Sequence, residues 1–386
     1  MIPRSLKELE ARLTLFLEEL LQPMGRTERR HGARLYVEGL LLDGERKPIE
    51  PMASRIPGAD VQALRQFVGQ SPWAVEEVQR RLAQKVGDLL SEAEVRIIDE
   101  TLFPKAGQHS VGVARQYSGA LGGIANCQVA VSLHWSSAET SCPLLWWLYL
   151  PKEWLEDGER AEEGKLTPRT VYRTKTVLAL EEIDQALAWS LQSLPVVADM
   201  AYGNDFSFRQ ALRERHLLGA LGPPKSLEKV AQTLSCSAWR GVTWRQGSRG
   251  TQRSRFVMRP VWAAHGWSEQ AHPPRLMEWP LVEWSDSEKQ PTKYRLAQLG
   301  SETLGIGRFV RIAKARWRVE QGYRELKEEL GLDHYEGRQW LGWHHHVCLV
   351  TMADAFLRFE QTRLKKTLWC DLEPAASPSA ASRPAH

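Results

Sequence analysis

Three carboxylates stand out in this chain because of the segments in which they lie. Asp99 follows the short apolar run at residues 95–98, and Asp199 follows a similar run at residues 196–198. An aspartate at the end of a buried strand is held at the edge of a sheet, where its oxygens can bind a hard divalent cation. Glu320 lies in a segment with helical periodicity. Together the three could hold a pair of metal ions that activates a nucleophile and stabilises the leaving oxygen of a phosphodiester.

Two cations accompany Glu320 on the same predicted helix. Arg316, Glu320, Tyr323 and Lys327 are four, three and four residues apart, which places them on one helix face. A cation beside a metal-binding carboxylate weakens metal binding, and such a pattern is explained if the cations hold phosphate groups that enter the site. An exposed helix face with salt bridges explains the same spacing equally well.

The elements that must position these residues follow an α/β succession. Residues 1–90 have helical periodicity and basic loops, and the pattern changes at residue 94. We then expect strands at 95–99, 127–135 and 142–150 and a loop at 156–165. After these we expect a helix at 176–194, a strand at 196–199, a helix at 206–216 and a strand at 217–221. Three antiparallel strands followed by crossovers to parallel strands are what a ribonuclease-H-like sheet requires. Helices are expected again at 307–330 and 343–365.

A segment rich in tryptophan and arginine interrupts this succession. The chain has 16 tryptophans, about three times the average share, and residues 225–300 contain Trp239, Trp244, Trp262, Trp267, Trp279 and Trp284 with arginines between them. Short β-type runs predict a β-rich insertion. Arginine suits phosphate contact, and a tryptophan stacked on a base contributes about 1–3 kcal/mol. Any single tryptophan is more often part of a core.

Composition limits the classes of protein to which the chain can belong. With 51 Lys and Arg against 47 Asp and Glu, the net charge of +4 neither requires nor excludes nucleic acid. No run of about 18 apolar residues is present, and the first residues contain no apolar signal region, so we expect no membrane span or secretory signal. Five cysteines without a C-x-x-C pair argue against disulfides or a zinc ribbon and favour the cytoplasm. Consecutive histidines at 344–346 cannot converge on one ion, and we expect them at the surface or against DNA phosphate.

A long motif around Asp99 resembles that of a known family. The residues Asp99-Glu-Thr, Phe-Pro-Lys105, the run from His109 to Gly119, and the run Asn-Cys-Gln-Val at 126–129 are similar to the region of the first catalytic aspartate in bacterial insertion-sequence transposases of the 701 family. Asp199-x-x-Tyr202-Gly resembles the second aspartate motif of the family.

A third motif extends the resemblance. Arg316, Glu320 and Lys327 match most of the signature Y-(2)-R-(3)-E-(6)-K of the wider insertion-sequence 4 superfamily, and residues 331–340 continue as in the family. The tyrosine of that signature falls at position 313, where this chain has Ala313. The resemblance covers roughly residues 30–360.

The resemblance implies an α/β fold with a ribonuclease-H-like catalytic core, a β-rich insertion and an N-terminal helical domain. In it Asp99, Asp199 and Glu320 would bind two Mg²⁺ ions, which Mn²⁺ can replace, for strand cleavage and transfer. The DNA contacts would be Arg316, Lys327, Trp244, Lys105, Arg115, Tyr202 and Arg245. The expected division is a helical DNA-binding domain at 1–92, the catalytic core at 93–222 and 301–366, the insertion at 223–300 and a disordered tail at 372–386.

The same resemblance implies a bacterial cytoplasmic enzyme that acts as a homodimer on double-stranded DNA, namely terminal inverted repeats and a target. The helical domain would read the repeat, with candidate contacts at Arg29, Arg30, Arg46 and Lys47. Two other functions stay open: a transposase-derived protein that binds DNA without cutting it, and a stand-alone metal-dependent DNA nuclease. The presence of all three acids argues against the first, and strand transfer would separate a transposase from the second.

Overall fold

The computed structural model describes residues 2–44, 46–90, 92–118, 122–167, 169–217, 219–221, 235–247, 250–262, 277–291, 293–298 and 305–372. Trp267 and the expected tail beyond residue 372 lie outside these ranges. Among the helices in the described ranges, none has the length and apolar character needed to cross a membrane.

The described part of the first 90 residues forms the helices expected from their periodicity and one short helix, the third, that the sequence did not indicate. These are α1 (Ile2–Leu21), α2 (Thr27–Leu41), α3 (Ile49–Ala53), α4 (Val61–Gln70) and α5 (Val75–Leu89). Asp60 caps α4, because its side chain accepts a hydrogen bond from the Ala63 N–H at 2.7 Å. The apolar faces of α2, α4 and α5 pack against the long C-terminal helix α14 (Trp340–Leu372). One hydrophobic core therefore joins the N-terminal helices to the rest of the chain.

The central sheet has the order of strands that a ribonuclease-H-like fold requires. Its first strands are β1 (Val95–Pro104), β2 (Ala114–Ser118), β3 (Gly123–Ser136) and β4 (Ser141–Leu148), and β3 is antiparallel to the other three. Helix α8 (Lys175–Ala188) leads to β5 (Val196–Val197), and α10 (Phe206–Glu214) leads to β6 (Gly219–Leu221). Strand β5 is parallel to β1 and β6 is parallel to β5, which confirms the expected α/β fold class.

The insertion continues this sheet instead of forming a separate one. It contains β7 (Arg240–Gly247), β8 (Gly250–Met258), β9 (Val261–Trp262), β10 (Met277–Trp284) and β11 (Lys293–Gln298). Strand β11 is antiparallel to β6, so the main path of the sheet runs β2-β3-β1-β5-β6-β11-β10-β8-β7. Helices α12 (Ile306–Lys314) and α13 (Trp317–Glu328) follow the insertion.

Several local expectations were wrong. Residues 156–165 are not a loop throughout, because α6 (Glu153–Glu156) and α7 (Gly158–Glu163) occupy most of the segment and Asp157 caps α7. The sequence also gave no sign of α9 (Met200–Asn204). Residues 307–330 form two helices instead of one, with the break at residues 315–316.

The three consecutive histidines also lie elsewhere than expected. His345 and His346 are fully buried, so their expected place at the surface was wrong. His345 Nδ1 lies 2.8 Å from the Val68 carbonyl oxygen, and His346 Nδ1 lies 2.8 Å from the Tyr36 hydroxyl. Burial lowers the pKa of both rings, to about 4 for His345 and about 3 for His346, so they are neutral side chains that join α14 to the N-terminal helices.

Candidate active site

The two aspartates lie at the same level of adjacent parallel strands. Arg96 pairs with Val196 and Ile97 with Val197 in the register of β1 and β5. Continuing that register by two residues places Asp99 beside Asp199. Asp199 is half-buried and caps the N-terminus of α9, where its Oδ1 accepts hydrogen bonds from the backbone N–H groups of Ala201 at 2.8 Å and Tyr202 at 3.4 Å. Asp99 is in the middle of β1, which is longer than the sequence indicated.

Asp99 is a buried carboxylate with a cationic neighbour. Only 2% of the residue is exposed, and its Oδ1 accepts hydrogen bonds from Arg316 Nη2 at 3.1 Å and from the Glu100 backbone N–H at 2.9 Å. Burial raises the pKa of Asp99 to about 6, and nearby Asp199 acts in the same direction, whereas Arg316 and the Glu100 amide oppose the increase. Asp99 therefore gains a proton more readily than an ordinary aspartate.

Among the described residues, Arg316 is what connects Glu320 to the aspartates. Its side chain is 62% exposed, and its Oε1 lies 3.8 Å from Arg316 Nη1. The guanidinium of Arg316 thus lies between the carboxylates of Asp99 and Glu320. Within the part of the chain that the structure describes, no three His, Cys, Asp or Glu side chains are gathered as a metal site. The structure therefore brings Asp99 and Asp199 to one place, and it leaves Glu320 on the outer side of Arg316.

The helix face that the sequence indicated packs on the sheet. Tyr323 is buried, and its hydroxyl lies 2.6 Å from Ser132 Oγ, on the residue of β3 that pairs with Asp99. Lys327 Nζ donates a hydrogen bond to the Leu102 carbonyl of β1 at 2.7 Å. An exposed, salt-bridged face therefore does not describe α13, since three of its four side chains reach β1 or β3.

A polar cluster beneath Asp99 was not visible in the sequence. Ser132 Oγ, which contacts Tyr323, also lies 2.9 Å from His134 Nε2. Burial lowers the pKa of His134 to about 3, so the ring is neutral and cannot act as a second counter-charge for Asp99. The alternation of β3 puts Ser132 and His134 on the same face as Asp99. In the sequence, the alternation of β3 shows that Ser132 and His134 share a face of the sheet. It does not show that Asp99 lies on that face, because this follows from the pairing of β1 with β3.

A second buried acid lies in α8. Glu182 is fully buried, and neither of its carboxylate oxygens has a hydrogen-bond partner of normal geometry among the described residues. Burial raises its pKa well above the usual range, so Glu182 is held in the neutral form. Glu182 is buried because it lies on the side of α8 that faces the sheet, and nothing in the local sequence indicated this.

The expected DNA contacts of the core are in different environments. Arg115 on β2 is exposed, and Lys105 donates a hydrogen bond from Nζ to the Tyr335 carbonyl at 2.6 Å. Tyr202 is 1% exposed and packs against Phe208, and this burial does not support its expected contact with DNA. The roles of Arg115 and Lys105 stay predictions.

The expected contacts in the insertion join it to the helices that follow. Trp244 meets Phe256 edge to face with a centroid separation of 5.6 Å, and Lys314 Nζ lies 4.4 Å from the centre of the Trp244 ring. Arg245 is exposed and stacks on Trp317 at 3.8 Å. These contacts resemble those of a core tryptophan, and base stacking by Trp244 stays a prediction.

The N-terminal candidates also differ from one another. Arg30 is exposed, Arg29 is half-buried, and Arg46 lies 3.7 Å from Glu336 in an exposed ion pair. Lys47 is only 4% exposed, and its Nζ donates hydrogen bonds to the carbonyls of Leu40 and Leu42 at the end of α2. This burial does not support a contact between Lys47 and DNA.

Comparison with known proteins shows the family to which the chain is similar. The family described as DDE superfamily endonuclease matches residues 19–222, and the family described as transposase DDE domain matches residues 164–353. A protein of Microchaete diplosiphon, named probable transposase for insertion sequence element IS701, is 27% identical over 334 residues, which are 81% of this chain and 79% of that protein. The crystal structure of the NurA nuclease from Sulfolobus solfataricus aligns with a TM-score of 0.30 at 9% identity, over 77% of this chain and 96% of that one.

These matches span most of the described chain, including both aspartates and Glu320. Enzymes of the DDE superfamily generally use divalent metal ions, and the substrate of transposases is DNA. The chain belongs to the DDE superfamily of endonucleases and is a DDE transposase related to that of insertion sequence 701.

Proposed function

We propose that this transposase binds the terminal inverted repeats of an insertion sequence, cleaves the ends and transfers the strands to target DNA by a cut-and-paste route. Asp99, Asp199 and Glu320 are the proposed catalytic residues. The observation that carries this assignment is the register of β1 and β5, which places Asp99 and Asp199 side by side from segments 100 residues apart. Two neighbouring carboxylates would weaken DNA binding in a protein that only binds DNA, because each repels the phosphates.

The donor set fits a hard divalent cation. All three proposed ligands are carboxylates, which suit Mg²⁺ and also Mn²⁺. The buried Asp99 and the half-buried Asp199 have Arg316 as their nearby counter-charge. Two ions held there would activate the attacking oxygen and stabilise the leaving oxygen of the phosphodiester. Asp99 and Asp199 would hold them from the sheet, and the exposed Glu320 would complete the set from α13 once Arg316 pairs with a phosphate.

The remaining assignments follow from this reaction. Arg316 would bind a DNA phosphate beside the carboxylates, with further contacts from Lys105, Arg115, Trp244 and Arg245. Lys327, whose ammonium is bound to the Leu102 carbonyl, would instead hold α13 on β1. We also propose a homodimer on paired DNA ends, recognition of the repeat by the helical domain at residues 1–92, a catalytic core at 93–222 and 301–366, and an insertion at 223–300. The enzyme would work in the bacterial cytoplasm, where its DNA lies, and its described cysteines Cys127, Cys142 and Cys348 are all free.

A cleavage assay on duplexes that carry the repeats flanking the source gene tests the proposal. Glu320→Gln and Asp199→Asn should bind these duplexes as the unchanged protein does and should lose cleavage with Mg²⁺. Glu328→Gln is the matched control, because Glu328 is an exposed glutamate of the same helix; it should retain cleavage. Loss of DNA binding by a folded Glu320→Gln variant would refute the role given to Glu320.

The products of the same assay distinguish the rival functions. A transposase joins the cut ends to a second DNA, and this product should appear when a target plasmid is added. Cut ends without joined product would indicate a nuclease. Tight binding of the ends with no cleavage by the unchanged protein would indicate a DNA-binding protein derived from a transposase.

A further inference from the structure

Arg295, in the insertion, is in line with the two aspartates. Strand β11 pairs with β6 through Leu296 and Leu221, and β6 pairs with β5 through Ala220 and Val197. Arg295 is the residue next to Leu296, and Asp199 is two residues beyond Val197, so both lie just past the same end of these described pairs. The register of β1 and β5 puts Asp99 at this level too. The sheet is continuous, so neighbouring strands are about 4.8 Å apart, and Arg295 lies two strands from Asp199.

Arg295 also lies on the face of the sheet that bears the candidate site. It is two residues from Lys293, which pairs with Glu283, so Arg295 and Glu283 share a face. Glu283 forms an ion pair with Lys314 of α12. This face is therefore the one covered by α12 and α13, which is also the face from which Arg316 reaches Asp99.

The charges around Arg295 leave it without a partner of its own. It is half-buried, and it makes no hydrogen bond or ion pair with any residue in the described ranges. Burial lowers its pKa, and the nearby guanidinium of Arg316 lowers the pKa further, against the effect of Glu283 and Glu320. Glu283 already pairs with Lys314 and accepts a hydrogen bond from Ser254. Arg295 is thus a cation that faces another cation beside the aspartates.

We propose that Arg295 and Arg316 together form a site for one backbone phosphate of the DNA end, with Arg295 supplied by the insertion. A phosphate relieves the repulsion between two neighbouring guanidinium groups, and each planar guanidinium can donate two hydrogen bonds to its oxygens. Because Arg295 is on a strand of the central sheet, the phosphate is held at a fixed distance from Asp99 and Asp199. The inference rests on the proposed function and extends it to a residue of the insertion.

Binding to DNA duplexes in which one phosphate at a time is replaced by a neutral methylphosphonate tests this site. Binding is measured by fluorescence anisotropy in EDTA, so that no strand is cut, with a repeat-end duplex and a duplex of unrelated sequence. For the unchanged protein, one position near the cleavage site should weaken binding about tenfold, or 1.4 kcal/mol. Arg295→Ala should bind intact DNA about tenfold more weakly. The same methylphosphonate should then weaken its binding clearly less than tenfold, because only Arg316 still contacts that phosphate.

Two further variants control for loss of folding and loss of charge. Arg253→Ala removes an exposed arginine of β8 whose alternation puts it on the opposite face of the sheet, and it should keep the full effect of the methylphosphonate. Arg295→Lys keeps the positive charge without the planar guanidinium and should recover part of the affinity. Arg295→Lys also tests the proposal if Arg295→Ala does not fold. If Arg295 contacts that phosphate, the methylphosphonate must weaken the binding of Arg295→Lys less than it weakens the binding of the unchanged protein.

The outcomes separate this inference from the proposed function. An identical methylphosphonate profile for the unchanged protein and the Arg295 variants would refute the phosphate site, even if the repeat ends are bound and cut. Equal affinity of the unchanged protein for both duplexes would refute recognition of the repeat, and the profile on either duplex would still decide the role of Arg295. Absence of binding to both duplexes would refute both.

Discussion

Replacement of Lys327 separates a structural role from a DNA contact. Its Nζ donates a hydrogen bond of 2.7 Å to the Leu102 carbonyl of β1 and lies 5.6 Å from the centre of the Phe103 ring. Both contacts hold the end of α13 on the strand that carries Asp99. Lys327→Met keeps most of the apolar length of the side chain and removes the charge, so it tests the two polar contacts with little change in packing.

The expected loss of stability follows from these contacts. A hydrogen bond to a charged group contributes about 1.5–3 kcal/mol, and a partly exposed cation over an aromatic ring contributes about 0.5–1 kcal/mol. Burial of the ammonium, which lowers the pKa of Lys327, offsets part of this gain. We therefore expect Lys327→Met to reduce the free energy of unfolding by about 1–2 kcal/mol.

Urea unfolding and the salt dependence of DNA binding measure the two roles separately. Each phosphate contact contributes about 0.9 to the slope of log K against log salt concentration. Because the ammonium is already bound to a carbonyl, we expect the slope for Lys327→Met to equal that of the unchanged protein. Arg324→Ala, which removes an exposed cation from the same helix, is the matched control for stability. An unchanged unfolding free energy together with a slope reduced by about 0.9 would refute this reasoning.

Three further predictions concern buried groups. Because burial raises the pKa of Asp99 to about 6, the cleavage rate at sub-saturating Mg²⁺ should fall as the pH drops through 6 and the carboxylate gains a proton. A midpoint near pH 4 in the profile of rate against pH would contradict this effect of burial. Burial raises the pKa of Glu182, so the free energy of unfolding has its full value below the ordinary glutamate pKa of 4.5 and decreases as the pH rises, by up to about 1.4 kcal/mol per pH unit. Glu182→Gln should lack this pH dependence. Equal slopes for the variant and the unchanged protein in urea unfolding between pH 5 and 7 would contradict it. A Cβ at Gly342 would overlap the Tyr335 hydroxyl oxygen, so Gly342→Ala should cost about 1–3 kcal/mol in unfolding free energy. Tyr335→Phe in the same chain, which removes that oxygen, should restore part of the loss, and urea unfolding measures both.

The sequence was informative where function depends on local pattern. The apolar runs before Asp99 and Asp199 predicted buried strands, and the two strands are neighbours in the sheet. The spacing of α13 correctly put Arg316, Tyr323 and Lys327 on one side of a helix. These features depend on residues close together in the chain, where periodicity reports the exposed and buried faces directly.

Features that depend on distant pairing were not predictable. Arg295 was not noticed because its position follows from the pairing of β11 with β6, which joins segments about 75 residues apart. Lys47 and Lys105 were assigned to DNA because they are basic residues in loops, yet both donate hydrogen bonds to backbone carbonyls. Whether an ammonium group binds a phosphate or a carbonyl depends on its neighbours in space, and the local sequence contains little information about them.

The position of Arg316 affects how any mutation of it should be interpreted. Asp99 is buried, and an ionised carboxylate without a partner in such a place costs several kcal/mol. Arg316 supplies its counter-charge whether or not DNA is present. Loss of activity in an Arg316 variant would therefore report damage to Asp99 as readily as loss of a phosphate contact. Arg295 makes no ion pair among the described residues, so its substitution leaves the aspartates as they are and is the more direct test of a phosphate at this site.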